Sequence, residues 1–173
     1  LWSTNQALVD TVGPDRAFEL LKPYLKFHTD AADLLLKNKF KLKMDDLYSR
    51  AVSNKFSVQF FGVITGNYQF FEQGYTWDVL YCPNAGLSEA NCQLNKRIFE
   101  GTHGDFETSY TRMLVRGDPY CQLMEKRQGY TIWGNVEKKA KEVTIPILSN
   151  EELEYWQCAV NSQLWIYATN ALV

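Results

Sequence analysis

The chain has little of what several function classes require. No stretch approaches the ~18 consecutive apolar residues of a membrane-spanning helix, and no charged-then-apolar leader opens it. Its 173 residues include only two histidines and four cysteines, too few thiols for a disulfide scaffold in a chain this long. Net charge is −2 at pH 7, which gives no electrostatic footprint for nucleic acid. The one basic run, Lys37 to Lys43, is followed at once by Asp45 and Asp46 and reads as a solvated helix face or loop. A phosphate-binding loop, a dinucleotide fingerprint, a nucleophilic serine elbow and a paired-histidine zinc motif are all missing. These absences leave a cytoplasmic protein with reduced thiols as the expectation, with neither nucleic acid nor membrane as partner. A single disulfide between Cys82 and Cys92 remains open.

What is present is ordinary in hydrophobicity and rich in rings. Hydrophobic residues make up 46% and charged residues 22%, while ten Tyr, ten Phe and five Trp bring aromatics to 14%. The length suits one domain with a full core, and the rings build either a bulky core or the wall of a pocket. The chain opens on Leu1 without a Met and closes on Val173 inside an apolar helical pattern, so both ends read as trimmed. Leu1-Trp2 through Ala7-Leu8-Val9 is echoed by Leu164-Trp165 through Ala171-Leu172-Val173. That echo is either chance in helix-forming composition or the start of a tandem copy.

Periodicity gives an α+β chain: a helical N-terminal half, a small antiparallel sheet and a long C-terminal helix. We divide a single domain 1–173 into helical 1–54, a sheet with an inserted helix 55–134, and a final helix 149–173. A first helix closes at Gly13, and Pro14 opens a second with a face of Ala17, Leu20, Leu21, Tyr24 and Leu25. Further helices are expected over 31–36 and 44–52. The aromatic and β-branched run Phe56 to Ile64 reads as a strand. Tyr75 to Cys82 alternates, with Tyr75, Trp77, Val79 and Tyr81 on one face. Ser88 caps a helix carrying Cys92, and 108–115 pairs with 120–126 as a hairpin turning through Arg116-Gly117-Asp118-Pro119. Tyr130 to Trp133 adds a short strand, and Ser149-Asn150-Glu151-Glu152 is a capping box.

Chemistry concentrates on three cysteines, Cys82, Cys92 and Cys121, at a strand end, early in a helix and after a turn. One reading is nucleophilic or acid–base chemistry: Cys92 lies near a helix start whose field favours thiolate, Asp118 lies near Cys121, and His103 in a flexible segment is a candidate base. Glu89 and Asp78 are further carboxylate candidates. A second reading is zinc held by Cys82, Cys92 and Cys121 with His103 or a carboxylate as fourth ligand, against which stands the lack of a C-x-x-C pair. Each cysteine alone also reads as a small buried hydrophobe. Cys158, beside Trp156, reads as core, and His28 at a helix end reads as structural.

The order Gly13-Pro14-Asp15-Arg16-Ala17, then Cys82-Pro83, Cys92 and Gly117-Asp118-Pro119-Tyr120-Cys121 resembles the L-2-amino-thiazoline-4-carboxylic acid hydrolase family. It resembles more distantly the 4-vinyl reductase group of small-molecule-binding domains, related in fold to transport-complex and heme–nitric-oxide-binding domains. The likeness covers about Leu8 to Arg127. It implies water addition to a cyclic C=N carbon and ring opening, with Cys82, Cys92, Cys121 and Asp118 carried over by motif. Such chemistry also needs a cation for the substrate carboxylate, for which Arg97 and Arg112 are candidates, and Trp77, Tyr81 and Tyr120 are the aromatic candidates for ligand contact. No cofactor is required beyond the zinc of the second reading. The rival class is a non-catalytic sensor of a small-molecule ligand, and a third is an interaction module whose aromatic strands form a homodimer interface.

Overall fold

The computed structural model describes residues 2–43, 45–59, 61–102, 104–131, 136–156 and 158. Helix α1, Trp2–Val12, ends at Gly13 and is followed at once by α2, Pro14–Phe40. The expected break before residue 31 is absent: α2 runs through Pro23 for 27 residues. The imino ring removes one backbone donor from this helix without ending it. Its C-terminal turn carries Lys37 and Lys39, and Lys41 closes it in the left-handed conformation at φ 54°. That places the basic run on a helix end, where cations favour the dipole.

The largest correction falls on Phe56 to Ile64. Helix α3, Leu47–Gln59, takes in Phe56 and Val58, and the first strand, β1, begins only at Ile64 and runs to Phe71. Asp46 fixes the start of α3 by accepting from the Ser49 backbone N–H at 2.9 Å and the Ser49 hydroxyl at 2.6 Å. Val52 and Phe56, four residues apart, are then both fully buried, so helical spacing outweighs the strand-like composition.

Strands β1, β2 (Gly74–Tyr81), β3 (Phe106–Arg112), β4 (Cys121–Arg127) and β5 (Lys139–Ala140) form one sheet in the order β3-β4-β2-β1-β5, and every pairing is antiparallel. The architecture is α+β. Helix α4, Glu89–Thr102, sits between β2 and β3 in sequence, and Ser88 caps it by accepting from the Asn91 N–H at 3.3 Å. The β3–β4 hairpin forms as expected, although its connection holds a short 3-10 turn, Leu114–Arg116, closed by Gly117 at φ 89°. Only glycine enters that region without strain. Residues 130–131 are not in a strand; the additional strand is β5, which pairs Ala140 with Gln69.

Strand phase decides the core. Tyr75, Trp77 and Val79 of β2 pair with Glu125, Leu123 and Cys121 of β4, so these six share a face. A register irregularity between Thr65 and Tyr68 brings Tyr68 opposite Trp77 on that same face. Ala51 and Val52 of α3, with Val143, complete this cluster. At the start of β2 the strands approach so closely that a Cβ on Gly74 would lie 2.2 Å from the Glu125 carbonyl oxygen. A second cluster joins α1, α2 and α4 through Val9, Ala17, Leu21 and Leu94. A third seats Trp156 on Phe56 at 5.3 Å, beside Leu36. The capping box at 149–152 is formed in both directions, Ser149 N–H to Glu152 and Glu152 N–H to the Ser149 hydroxyl. The repeat suggested at 164–173 lies outside the described residues.

Candidate functional site

The three thiols lie within electrostatic reach of one phenol: burial is the first cause holding Tyr110 well above its usual range, followed by Cys92, Cys121 and Cys82 in turn. The Tyr110 hydroxyl donates to the Cys92 carbonyl at 3.3 Å, and the Leu114 N–H meets the Cys121 sulfur at 3.2 Å. All four cysteines are free thiols, which removes the Cys82–Cys92 disulfide.

Their chemistry differs from the expected one. Burial pushes the Cys92 thiol up to about 12, with its two cysteine neighbours adding to the rise. Burial also raises Cys82, against an opposing pull from the Asn84 backbone N–H, and raises Cys121 against the Leu114 N–H. The helix-start field on Cys92 is outweighed by loss of water. Neutral thiols are poor nucleophiles at pH 7. Among the described residues no group of three His, Cys, Asp or Glu side chains is placed to hold a metal ion, so the trio as it stands does not fit zinc. His103, the fourth ligand and candidate base, lies outside the described residues.

The other sequence candidates scatter. Asp118 accepts from the Met113 N–H at 2.7 Å and braces the β3–β4 connection. Arg97 pairs with Asp15 at 3.1 Å across the outside of α2 and α4, and Arg112 lies over the Tyr120 ring at 4.9 Å on the surface. Glu89 is taken by Arg116 through two hydrogen bonds, and Asp78 accepts from Gln122 at 3.0 Å. Tyr81 is in phase with the inner face yet 55% exposed. Its pairing partner Ile64 is also more than half exposed. Trp77 alone lies at the centre of the fold.

Trp77 leads to a site that the sequence reading passed over. Glu125 occupies the next inner position of β4 beyond Leu123 and is 0% exposed. Its carboxyl accepts from Asn54 Nδ2 at 2.5 Å and from the Tyr75 hydroxyl at 2.8 Å. Burial raises it to about 7, partly offset by the Tyr75 hydroxyl and then by Arg50. Burial likewise raises the phenols of Tyr75 and Tyr68, so both stay neutral.

Around this carboxyl runs an aromatic wall. Tyr68 stacks on Trp77 at 6.1 Å and Phe99 meets the Trp77 ring edge-on at 5.9 Å; Phe70 lies 5.6 Å from Tyr75. Within that wall Trp77 Nε1, the Tyr68 hydroxyl and Asn54 Oδ1 have no hydrogen-bond partner. Trp77 lies near enough to Glu125, and Thr65 to Tyr68, to lower each group, but neither contact has hydrogen-bond geometry. Buried polar groups are paired in more than about nine cases of ten; three unpartnered atoms cluster at this carboxyl, while Asn84 Nδ2 and Asn91 Oδ1 are the same elsewhere. The sequence signal was a carboxylate in apolar phase: Cys121, Leu123 and Glu125 alternate on one face.

No family model matches the chain, and no curated protein matches it. The hydrolase resemblance therefore gains no support. Two solved structures are similar. One is a trafficking protein particle complex subunit 3 from Naegleria fowleri covalently bound to palmitic acid, with TM-score 0.51, 14% identity, and coverage of 77% of this chain and 96% of that one. The other is the phenol-responsive sensory domain of the transcription activator PoxR with phenol, with TM-score 0.45, 13% identity, and coverage of 73% and 72%. At such identities the first likeness is one of fold. Among the described residues no helix is long and apolar enough to cross a membrane.

Proposed function

We propose that the chain is a small-molecule-binding domain whose ligand sits inside the fold, against the inner face of the sheet at Trp77. The observation that carries this reading is the set of unpartnered polar atoms, Trp77 Nε1 foremost, in a wall of stacked rings. Such a site offers apolar area for affinity and a few polar groups for orientation. The exposed strand end at Ile64 and Tyr81 is about 13 Å along β2 from Trp77 at ~3.3 Å per residue. Among the described residues ring-opening hydrolysis has no residue set behind it: the thiols are neutral, Asp118 is a brace, and Arg97 and Arg112 point elsewhere. The domain binds and reports rather than transforms.

The test is a titration of the purified protein followed by the indole N–H signals in two-dimensional NMR. The panel spans small aromatics, polar heterocycles and fatty acids, and includes phenol and palmitic acid, the molecules held by the two similar structures. Saturable movement of the Trp77 signal, absent in Trp77→Phe, is the expected result. Turnover of a cyclic thiazoline acid, or a panel that leaves Trp77 unmoved, would overturn the reading.

A further inference from the structure

The three orphan atoms also specify the ligand's chemistry, if the interior site just described is accepted. With Glu125 ionised, Asn54 cannot be turned over to hide its acceptor. Its Nδ2 donates to Glu125 at 2.5 Å, and the opposite orientation would set an amide oxygen against a carboxyl that accepts from two donors. Asn54 Oδ1 is thus fixed facing away from Glu125, as an acceptor without a donor, on a residue 2% exposed. Trp77 Nε1 is a donor only, without an acceptor, on a residue 1% exposed. Both flank the same carboxyl, one reaching in from α3 and the other from β2. Tyr68, 3% exposed and equally unpartnered, adds a hydroxyl that serves in either sense.

We propose that this site receives a neutral ligand that presents one hydrogen-bond donor and one acceptor from a single planar group, such as a carboxamide or lactam on an aromatic or apolar body. The acceptor meets Trp77 Nε1–H and the donor meets Asn54 Oδ1, while the body lies along Tyr68 and Phe99. Above pH 7 the Glu125 carboxylate disfavours an anionic ligand, and both cations of α3 are already engaged: Arg50 with Asp105 at 3.3 Å and over the Phe106 ring at 3.9 Å, and Lys55 with the Val143 carbonyl at 2.8 Å. An ester or ketone satisfies Trp77 but leaves Asn54 Oδ1 buried and unmet.

Three probes of similar size separate these cases: benzamide, methyl benzoate and benzoate. An unmet buried acceptor costs ~1–3 kcal/mol, so benzamide should bind about tenfold tighter than methyl benzoate, and benzoate should bind weakest at pH 8. The Trp77 indole signal should move with benzamide, and Trp77→Phe, which keeps a ring, should weaken benzamide and methyl benzoate alike and leave their ratio near tenfold, because both present a carbonyl to Nε1–H and differ only at Asn54 Oδ1. Should that variant not fold, the ranking of the three probes on the wild-type protein still decides. Methyl benzoate binding as tightly as benzamide overturns the inference and leaves the interior site standing. So does a crystal structure with benzamide present in which only a water bridges Asn54 and Trp77. If nothing in the wider panel moves the Trp77 signal, the interior site itself falls.

Discussion

Strand β4 carries a thiol at one end and a carboxyl at the other, four residues apart on the same buried face, and the two ends are solved differently. At Cys121 the fold sets three neutral thiols within electrostatic reach of Tyr110 and asks little of them. A thiol is a small, weakly polar group that goes into a core cheaply. At Glu125 the same sheet buries a carboxyl completely and surrounds it with Asn54, Tyr75 and Arg50. Burying a carboxyl is costly unless it is hydrogen-bonded or kept protonated, so these partners come from elements far apart in the chain. Residue type alone would have ranked the thiols as the reactive end. Solvation reverses the ranking, because the thiols are held neutral far from pH 7 and the carboxyl titrates close to it.

Mutations that remove each end should show this inequality. Glu125→Ala strands two buried donors, Asn54 Nδ2 and the Tyr75 hydroxyl, and opens a cavity. It should destabilise the fold by about 3–5 kcal/mol in urea denaturation at pH 6. Cys121→Ala removes one sulfur and one weak contact, and should cost about 1–2 kcal/mol. Equal losses would mean that the thiol end carries as much of the fold as the acid end.

The pH dependence sharpens the same contrast. A carboxyl raised to about 7 binds its proton more tightly in the folded chain than in the unfolded one. The stability it contributes is complete below its ordinary value near 4.5 and is lost as pH rises through about 7. The groups facing it are Arg50 and Asn54 from α3, Tyr75 and Trp77 from β2, and Tyr68 from β1. Of these only Arg50 is charged near neutrality, since burial keeps both phenols neutral. Wild type should therefore lose about 2–3 kcal/mol between pH 5 and pH 8. Glu125→Gln, which mimics the protonated acid, should flatten that loss and be the more stable protein at pH 8. A wild-type profile already flat across this window would place the carboxyl outside the low-dielectric core.

How much of this the sequence displayed follows from the range of the interactions. The hairpin of β3 and β4, the Ser88 cap and the Ser149–Glu152 box are local, and residues a few positions apart settle them. The order of the three cysteines was enough to suggest convergence. Their protonation was not visible, since it depends on burial by α4 and the sheet. Phe56 misled because its neighbours favour strands in isolation, whereas Val52 and Phe56 bury together only if the segment is helical. For Glu125, one half of the signal lay in the strand alternation. The other half, Asn54, lies 71 residues away on an element read as ending near it, and no local pattern links the two.

The smallest effect is expected from the most conspicuous ion pair near the thiols. Arg116 grips Glu89 just outside Cys92, and sequence logic would make such a cation the activator of a thiolate. The pair is exposed, and water and salt screen it. For Cys92, Arg116 is the last of the causes acting on the thiol, far behind burial. Arg116→Ala should leave the urea midpoint unchanged within error. It should also slow, if only slightly, the modification of Cys92 by a thiol reagent at pH 8.5, because the one cation favouring the thiolate is gone. Cys92 should still react mainly on unfolding, after the exposed Cys158. A marked loss of stability, or a large fall in Cys92 reactivity, would show that charge rather than burial organises the thiol end. The contrast between the two ends of β4 would then lose its physical basis.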